Sequence, residues 1–338
     1  MGRIILLLVF MTMASYIFAL RQTRCLALAM EGGGTKGTYQ AGVFKALADL
    51  LSPEEVRYDV VAGASVGSLN SLLIGATEIG KEKEAALKLT EIWNNIKSND
   101  VLEWWPYVGP LQGFFGKTSF FDTSPLLPFV QKQFDILGGK LHRRLSFGMV
   151  DAQTGSYHRA DEKHGADMPK KVVASASVPA FFPYVIDGEH VFIDGGSTDN
   201  INLRGAIDKC MEIVGEDYAA ITIDIIIPNP YAITYYDMSK EGTYDLYFRG
   251  NDLRFSGKDI WYLRDTIHSY PEINWRYIVM PKEGLPNYPY VPLSFDQEKL
   301  RKSQEQGYKD GTEAVKGTGP NILKQLKEVK SYPRVRLT

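Results

Sequence analysis

Two apolar runs that each end in a glycine-rich turn constrain the fold of this chain most strongly. The first run, Cys25–Met30, is continuously apolar, which is typical of a strand buried on both faces of a parallel sheet. It leads into the turn 31–37 and then a helical pattern. The second run, Tyr58–Ala62, leads into the turn 63–67 and another helical pattern. Such a strand–helix–strand unit places both turns at the carboxyl-terminal edge of the sheet, where open α/β folds bind ligands.

The rest of the chain continues the alternation of strands and helices, with no repeat and no clear linker. The predicted strands cover residues 145–152, 183–186, 190–193, 219–227 and 277–280, and Asp187-Gly188 gives a hairpin signal between the second and third. The predicted helices cover residues 125–134, 167–177, 205–214 and two segments of 292–330 that separate near Gly317–Pro320. Residues 229–265 are predicted to be irregular. One α/β domain is the simplest interpretation.

Composition and charge argue against a nucleic-acid partner. The 338 residues are 44% hydrophobic and 23% charged, which is ordinary for a globular protein with a sizeable core. The formal net charge is −2, and the Lys and Arg residues are scattered along the chain. No basic field or nucleic-acid motif is present, so we expect no nucleic-acid binding.

The N-terminus has the pattern of a secretory signal peptide over residues 1–20. Arg3 precedes the apolar segment Ile4–Leu20, which contains small residues suited to cleavage. The segment is at the short limit for a membrane span, so an uncleaved signal anchor is the alternative. We therefore expect secretion or residence in the secretory-pathway lumen. In such a compartment Cys25 and Cys210 either form a disulfide bond or are two small buried residues.

The turn 63–67 matches G-x-S-x-G, the pattern of a nucleophile elbow. Its residues are Gly63, Ala64, Ser65, Val66 and Gly67. In such a turn, the glycines let the strand and the helix approach closely, and the serine hydroxyl is presented near the positive end of the helix. The pattern alone is weak evidence, but here it lies between a predicted strand and a predicted helix, as an elbow requires.

The turn 31–37 has two interpretations. Gly32, Gly34 and Gly37 fit the G-x-G-x-x-G pattern of dinucleotide-binding proteins, but that function needs an acidic residue at the end of the next strand, where the chain has the serine turn instead. The other interpretation is an oxyanion hole, because consecutive glycines leave backbone N–H groups unshielded. The neighbouring serine turn favours the oxyanion hole.

A third segment, Asp194-Gly195-Gly196, closes the predicted strand 190–193. A carboxylate followed by two glycines can approach another loop closely. If this strand returns to the sheet beside the elbow, Asp194 can reach Ser65. A plain Asp-Gly turn is the alternative, and this segment alone favours the plain turn.

Taken together, these segments resemble the signature blocks of patatin-like phospholipases. The blocks are Gly-Gly-Gly-Thr-Lys-Gly at 32–37, Gly-Ala-Ser-Val-Gly at 63–67 and Asp-Gly-Gly at 194–196, and they follow the family's order. Residues 174–183, with the sequence ASASVPAFFP, are similar to the family's A-S-x-x-x-P-x-x-F-P segment. The resemblance is specific and covers roughly residues 25–210.

The resemblance implies a three-layer α/β/α sandwich with a mainly parallel central sheet, in which residues 211–338 form the C-terminal part of the same domain. It implies a Ser–Asp dyad without histidine, with Ser65 as the nucleophile and Asp194 as the base. The implied oxyanion hole consists of the N–H groups around Gly33 and Gly34, in the turn formed by Gly32, Gly33, Gly34, Thr35, Lys36 and Gly37. Neither a metal nor a cofactor is implied. The implied activity releases fatty acids from phospholipids or other acyl glycerols, with possible peripheral contact between the protein and a lipid surface.

Other functions stay open on the sequence alone. A Ser–Asp–His triad would use His268, since the order Ser65, Asp194, His268 is that of α/β-hydrolases. A lipid-binding or storage protein would keep the fold with little turnover, and a nucleotide-binding protein would use the first glycine turn. The remaining histidines are expected to be surface or hairpin residues, namely His142, His158, His164 and His190.

Three further features have a functional and a structural interpretation. The aromatic segment Trp104–Phe121 is either a lid or lipid-contacting surface, or ordinary packing over the sheet. Lys36 either meets a lipid phosphate or is simply solvated. Ser175 and Ser177 are expected to cap or pack within their helix rather than to act as nucleophiles.

Overall fold

The framework of the protein, in a computed structural model, is a mixed sheet between layers of helices. The structure describes residues 24–107, 109–231, 235, 237–286, 293 and 295–328. The strands are β1 (Cys25–Met30), β2 (Val60–Ala64), β3 (Glu103–Trp104), β4 (Phe121–Asp122), β5 (Arg144–Asp151), β6 (Tyr157–Asp161), β7 (Val185–Asp187), β8 (His190–Asp194), β9 (Ile221–Ile226) and β10 (Asn274–Val279). The helices are α1 (Gly37–Leu50), α2 (Val66–Gly75), α3 (Glu82–Asn95), α4 (Pro110–Gly116), α5 (Leu126–Ile136), α6 (Met168–Ser175), α7 (Leu203–Val214), α8 (Thr243–Ser269), α9 (Gln297–Val315) and α10 (Ile322–Glu328).

The central sheet is mainly parallel, as predicted. In the described part of the chain its strand order is β10-β9-β1-β2-β5-β8-β7, and β6 also pairs with β5. The run from β10 to β5 is parallel throughout. The strands β6, β8 and β7 add antiparallel pairs at the β5 side. The predicted parallel pairing of the two glycine-ended strands is confirmed, because Met30 of β1 lies opposite Gly63 of β2.

Helices cover both faces of this sheet. Side chains of a strand alternate between its faces, so neighbouring residues of β1 belong to different cores. Leu26 and Leu28 pack with α1, α2, α3, α5, α6 and α9. Ala27 and Ala29 pack with α7, α8 and α10. The predicted three-layer α/β/α sandwich is therefore confirmed.

The long strand β5 aligns two segments that are distant in sequence. β2 pairs with β5 up to Ala64 opposite Gly148, and β8 pairs with β5 from Asp194 opposite Met149. β6 pairs with residues 146–150 and therefore occupies the other edge of β5. β2 and β8 therefore pair with successive parts of the same edge of β5. Because β8 runs antiparallel to β5, the carboxyl-terminal ends of β2 and β8 meet.

A disulfide bond joins the start of β1 to the helix α7. It links Cys25 to Cys210, whose Cα atoms are 5.5 Å apart, so the bridged interpretation of the two cysteines is correct. The predicted signal segment, residues 1–20, lies outside the described residues. Among the residues that the structure describes, no helix is both long and apolar enough to cross a membrane.

The prediction of an irregular segment at 229–265 is wrong, because α8 begins at Thr243. Its aromatic residues and two internal glycines, Gly250 and Gly257, have poor helix propensity and obscure the helical pattern. The prediction also omits β6, whose residues are mostly polar, and α3, whose apolar residues do recur at helical spacing. The predicted hairpin between β7 and β8 is confirmed, as is the break between α9 and α10.

Candidate active site

Ser65 lies on a sharp turn between β2 and α2. Its φ of 51° and ψ of −128° are rare for a residue with a side chain, and this local strain is typical of a functional turn. Gly63 and Gly67 allow the turn, because a Cβ at Gly67 would collide with the Met30 carbonyl and one at Gly63 would collide with the Gly67 backbone. Ser65 is only 6% exposed. The geometry is that of the elbow expected from the G-x-S-x-G pattern.

The elbow is anchored by a serine from α6. The Ser65 N–H donates to Ser175 Oγ at 3.0 Å, and the Ser175 hydroxyl donates to the Gly148 carbonyl at 2.6 Å. Ser175 therefore links the elbow to β5. The prediction that it bonds within its own helix is wrong. Ser177 does bond within that segment, since its hydroxyl donates to the Val173 carbonyl at 2.9 Å.

Asp194 ends β8 directly beside the elbow. Its backbone N–H donates to the Ser177 carbonyl at 2.9 Å, and its Oδ1 accepts the Gly196 N–H at 2.7 Å. Gly195 packs closely on the Gly148 carbonyl, where a side chain would also press on Ala64. The Asp-Gly-Gly segment thus brings the Asp194 carboxyl against the end of β2.

Burial dominates the electrostatics of Asp194. The residue is 5% exposed, and desolvation raises the pKa of its carboxyl to about 6, although hydrogen bonding to Ser65, the Gly196 N–H and the charge of Lys258 oppose the rise. The Ser65 hydroxyl is thus close enough to lower the Asp194 pKa, yet Oδ2 has no hydrogen bond of ordinary geometry within the described residues. Catalytic hydrogen bonds are often long before substrate binds, so the two observations agree.

The glycine turn after β1 faces the elbow. A Cβ on Gly32 would lie 2.9 Å from the Ser65 Cβ, so only a bare backbone fits there. The Gly32 N–H is already engaged, because it donates to the Asn200 carbonyl at 2.9 Å. The N–H groups of Gly33 and Gly34, both half-buried, donate no hydrogen bond within the described part of the chain. These two groups are therefore the donors that the turn offers to a ligand.

The other predicted members of the oxyanion hole have different surroundings. Thr35 is buried, and the Lys36 ammonium donates to Asn229 Oδ1 at 2.6 Å. Gly37 begins α1 in the closely packed space beneath Val66 and Trp93, where no Cβ fits. The N–H groups of Gly33 and Gly34 therefore stay the predicted donors of the oxyanion hole.

A buried polar network fixes the backbone on both sides of this turn. The Gln40 amide donates to the Glu31 carbonyl at 2.5 Å, and Asn70 donates to the Gly37 carbonyl at 3.0 Å and to the Gln40 side chain at 2.8 Å. The Trp93 indole in turn donates to Asn70 at 3.0 Å. Donors held in this way need little reorganisation when charge develops beside them.

Two carboxyls behind the turn were not predicted. Burial raises the pKa values of Glu31 and of Asp259, that of Asp259 to about 6, and the two side chains share a hydrogen bond that requires one proton. The Asn229 amide donates to Glu31 at 3.0 Å, and the Asn200 amide donates to Asp259 at 3.2 Å. Asp259 belongs to α8, so no sequence signal placed it here.

The arrangement argues against a Ser–Asp–His triad and against dinucleotide binding. His268 is exposed in the last turn of α8, where its ring is hydrogen-bonded to the Arg264 carbonyl. It is not among the groups that shift the pKa of the Asp194 carboxyl. The dinucleotide interpretation needs an acid at the end of β2. Asp59 instead precedes β2 and accepts the Leu26 N–H at the opposite edge of the sheet.

The aromatic segment 104–121 is partly packed and partly exposed. Trp104 and Phe121 are in ring contact at 4.6 Å, and Phe121 also stacks on Phe181 at 6.4 Å. Tyr107 is 97% exposed and Phe115 is 81% exposed. Both interpretations of the segment therefore have structural support, because its base packs near the segment that supports Asp194 while its outer rings face solvent.

Comparisons with known proteins assign the chain to a family. A family model described as patatin-like phospholipase matches residues 28–207, just over half of the chain. VipD from Legionella pneumophila is similar with a TM-score of 0.42 and 12% identity, over 87% of this chain and 67% of VipD. The ExoU–SpcU complex from Pseudomonas aeruginosa is similar with a TM-score of 0.38 and 12% identity, over 88% of this chain and 52% of the matched chain, so this chain spans about half of that length. No curated protein sequence matches significantly. The chain belongs to the patatin-like phospholipase family.

Proposed function

We propose that this protein is a carboxylic ester hydrolase that releases fatty acids from phospholipids or other acyl glycerols, with Ser65 as nucleophile and Asp194 as base. The observation that carries the proposal is the meeting of a strained, positive-φ serine with a buried carboxyl at the ends of β2 and β8. A histidine is not needed, because the raised pKa of Asp194 makes its carboxylate a stronger base than an exposed one.

In the first half of the reaction Asp194 takes the Ser65 proton while the serine oxygen attacks the ester carbonyl. The N–H groups of Gly33 and Gly34 stabilise the oxyanion, and one such donor is typically worth about 3 kcal/mol. The N-terminus of α2, which starts directly after Ser65, adds a favourable dipole. Collapse of the intermediate expels the alcohol, which takes the proton from Asp194, and leaves an acyl-enzyme.

In the second half, water hydrolyses the acyl-enzyme. Asp194 takes a proton from the attacking water, and the same two N–H groups stabilise the second oxyanion. Ser65 recovers its proton when the fatty acid leaves. All proton transfers of this cycle use one carboxyl group, so a single ionisation controls both halves.

We further propose that the exposed aromatics of the 104–121 segment contact the lipid surface. Tyr107 and Phe115 are large, apolar and almost fully exposed, as expected for side chains that dip into an interface. Replacing both by Ala should weaken binding to phosphatidylcholine vesicles by about 100-fold or more, since burial of each such side chain contributes about 1.5–3 kcal/mol. Leu87→Ala, at an exposed apolar position on α3, serves as the control and should bind normally. Unchanged binding of the double variant would contradict this contact.

The disulfide bond supports our proposal that the protein works in an oxidising compartment. Bonds of this type persist in secreted and lumenal proteins and are rare in reducing cytosol. The mass of the protein recovered from the producing cell tests the proposal. Loss of a segment near residues 1–20 together with paired cysteines supports secretion, and an intact N-terminus with two free thiols would contradict it.

The function is tested by incubating a panel of phospholipids and neutral acyl glycerols with the protein and identifying the products by mass. We expect free fatty acid from wild type and none above background from Ser65→Ala or Asp194→Asn. Ser177→Ala is the control, because its hydroxyl donates to the Val173 carbonyl of its own segment, and it should retain most activity. A folded wild type that binds lipid but releases no fatty acid would favour a lipid-binding or storage protein instead.

A further inference from the structure

Three potential metal ligands meet where β5, β6 and β8 pair, at the end of β8 opposite Asp194. They are Asp151 at the end of β5, His158 on β6 and His190 at the start of β8, and their candidate ligand atoms all lie within 4.8 Å of one another. We propose that Asp151, His158 and His190 bind a divalent transition-metal ion of the zinc type. Two imidazoles and a carboxylate form a ligand set that zinc uses in proteins, with water at the fourth position.

The pairing of the strands places these side chains on one face. His158 lies opposite Met149, and Phe192 lies opposite Asp151. Side chains of directly opposed residues share a face, and so do residues two apart on one strand. Asp151, His158 and His190 therefore point to the same side, although they come from three strands.

The distances are close to those of a bound ion. His190 Nδ1 lies 3.1 Å from Asp151 Oδ2. Zinc–ligand bonds of about 2.0–2.1 Å give an edge of about 3.3 Å in a tetrahedral site, so these two atoms are already at ligand spacing. The third ligand, from His158, needs to approach by about 1.5 Å at most to reach that spacing. Both histidines are half-exposed, so their rings can turn and solvent can deliver the ion.

The carboxylate is held in place by neighbouring donors. Asp151 is buried, its Oδ1 accepts the Gln153 N–H at 3.1 Å, and its Oδ2 accepts the Thr154 hydroxyl at 3.0 Å. Partners of this kind orient a metal ligand and are part of the design of a metal site.

The site is separate from the proposed catalytic dyad. On β8 the side chain of Phe192 lies between His190 and Asp194, and its ring contacts both histidine rings at 5.4 and 5.3 Å. A bound ion would join β5, β6 and β8 at the end of β8 opposite Asp194. We therefore infer an ion that links β5 and β6 to the strand carrying the base, and no step of the proposed hydrolysis passes through it.

The test is a calorimetric titration of the metal-free, tag-free full chain with zinc chloride. We expect one ion per chain, and we expect His158→Ala and His190→Ala each to weaken binding by about 100-fold or more, since even outer partners of metal ligands contribute about 10–100-fold. His164→Ala is the matched control, because His164 also lies beside a carboxylate, that of Asp161, but outside the cluster. Its zinc binding should match wild type.

A second readout identifies the geometry. Cobalt(II) in place of zinc should give the intense visible absorption of a tetrahedral site, and both histidine variants should lose it. The histidines are half-exposed, so their replacement should leave the fold intact even if Asp151→Ala does not fold. Absence of saturable zinc binding by wild type, or full binding by either His158→Ala or His190→Ala, would overturn the proposal. Neither result depends on lipid hydrolysis.

Discussion

The Asp194 carboxyl is buried beside a serine hydroxyl, so its ionised form is destabilised in the folded protein. Its pKa is raised from 3.8 to about 6, and one pKa unit corresponds to about 1.4 kcal/mol. Ionised Asp194 therefore costs up to about 3 kcal/mol of folding free energy above pH 6. We expect Asp194→Asn to abolish hydrolysis while raising the free energy of unfolding at pH 8 by about 2–3 kcal/mol.

The size of this effect on the free energy of unfolding depends on pH. The Asp194 carboxyl contributes no penalty below its unfolded pKa, where it is protonated in both states, and the penalty grows as the pH rises from about 4 to about 6. Urea unfolding of wild type and Asp194→Asn at pH 4 and pH 8 measures the difference. The stability gain should be present at pH 8 and absent at pH 4, and a variant that is less stable than wild type at pH 8 contradicts the assigned cause.

In the proposed reaction, the same ionisation sets the pH dependence. Asp194 accepts the Ser65 proton only as a carboxylate, so kcat/KM should fall about tenfold per pH unit below about pH 6 and level off above it. Hydrolysis of a soluble short-chain ester, measured from pH 4.5 to 8.5, gives the profile. A plateau that extends below pH 5, or a bell centred on a histidine-like pKa, would point to a different base.

At the scale of elements, Ser175 of α6 joins the elbow to β5. Ser175→Ala leaves the Ser65 N–H and the Gly148 carbonyl without their present partner, which costs about 1–3 kcal/mol for each buried group. We expect lower thermal stability and a lower kcat. Ser177→Ala removes a hydrogen bond to Val173 within its own segment, so an equal or larger loss in Ser177→Ala would contradict this role for Ser175.

Sequence patterns identify the elements that carry local signals. The apolar run of β1, the elbow after β2 and the hairpin of β7 and β8 are each encoded by a few adjacent residues, and all are present. The helix α8 carries no such signal, and with it Asp259 escapes prediction. Helices that depend on tertiary packing are the ones that propensity misses.

The candidate site likewise combines residues that have a local sequence signal with contacts that depend on the tertiary fold. Ser65 and the glycine turn are recognisable from their neighbours in sequence. Asp194 stands out only when its segment is taken together with the other two, because Asp-Gly-Gly alone favours a plain turn. Their meeting depends on β8 continuing along the edge of β5 where β2 stops, which is a matter of strand order. For the same reason the cluster of Asp151, His158 and His190 is invisible in the sequence, because three strands have to pair before it exists.

At the scale of the whole molecule, the Cys25–Cys210 bond closes a long loop across the predicted catalytic core. The cysteines are 185 residues apart in sequence, and cross-links of this length contribute about 2–5 kcal/mol to stability, mainly by restricting the unfolded chain. We expect a reductant to lower the thermal midpoint of unfolding by several degrees. The double variant Cys25→Ser/Cys210→Ser should match reduced wild type and should not respond to reductant, whereas a wild type that ignores reductant would show that the bond adds no stability.

The convergence of β2 and β8 on a reactive serine is tested most directly by covalent labelling with a fluorophosphonate, followed by mass mapping of the adduct. Activated serine nucleophiles react with such probes, whereas ordinary serines do not. We predict one adduct per chain, located on Ser65, much slower labelling of Asp194→Asn, and none on Ser65→Ala. A folded wild type that takes up no label, or an adduct on another residue such as Ser175, would contradict the proposed nucleophile.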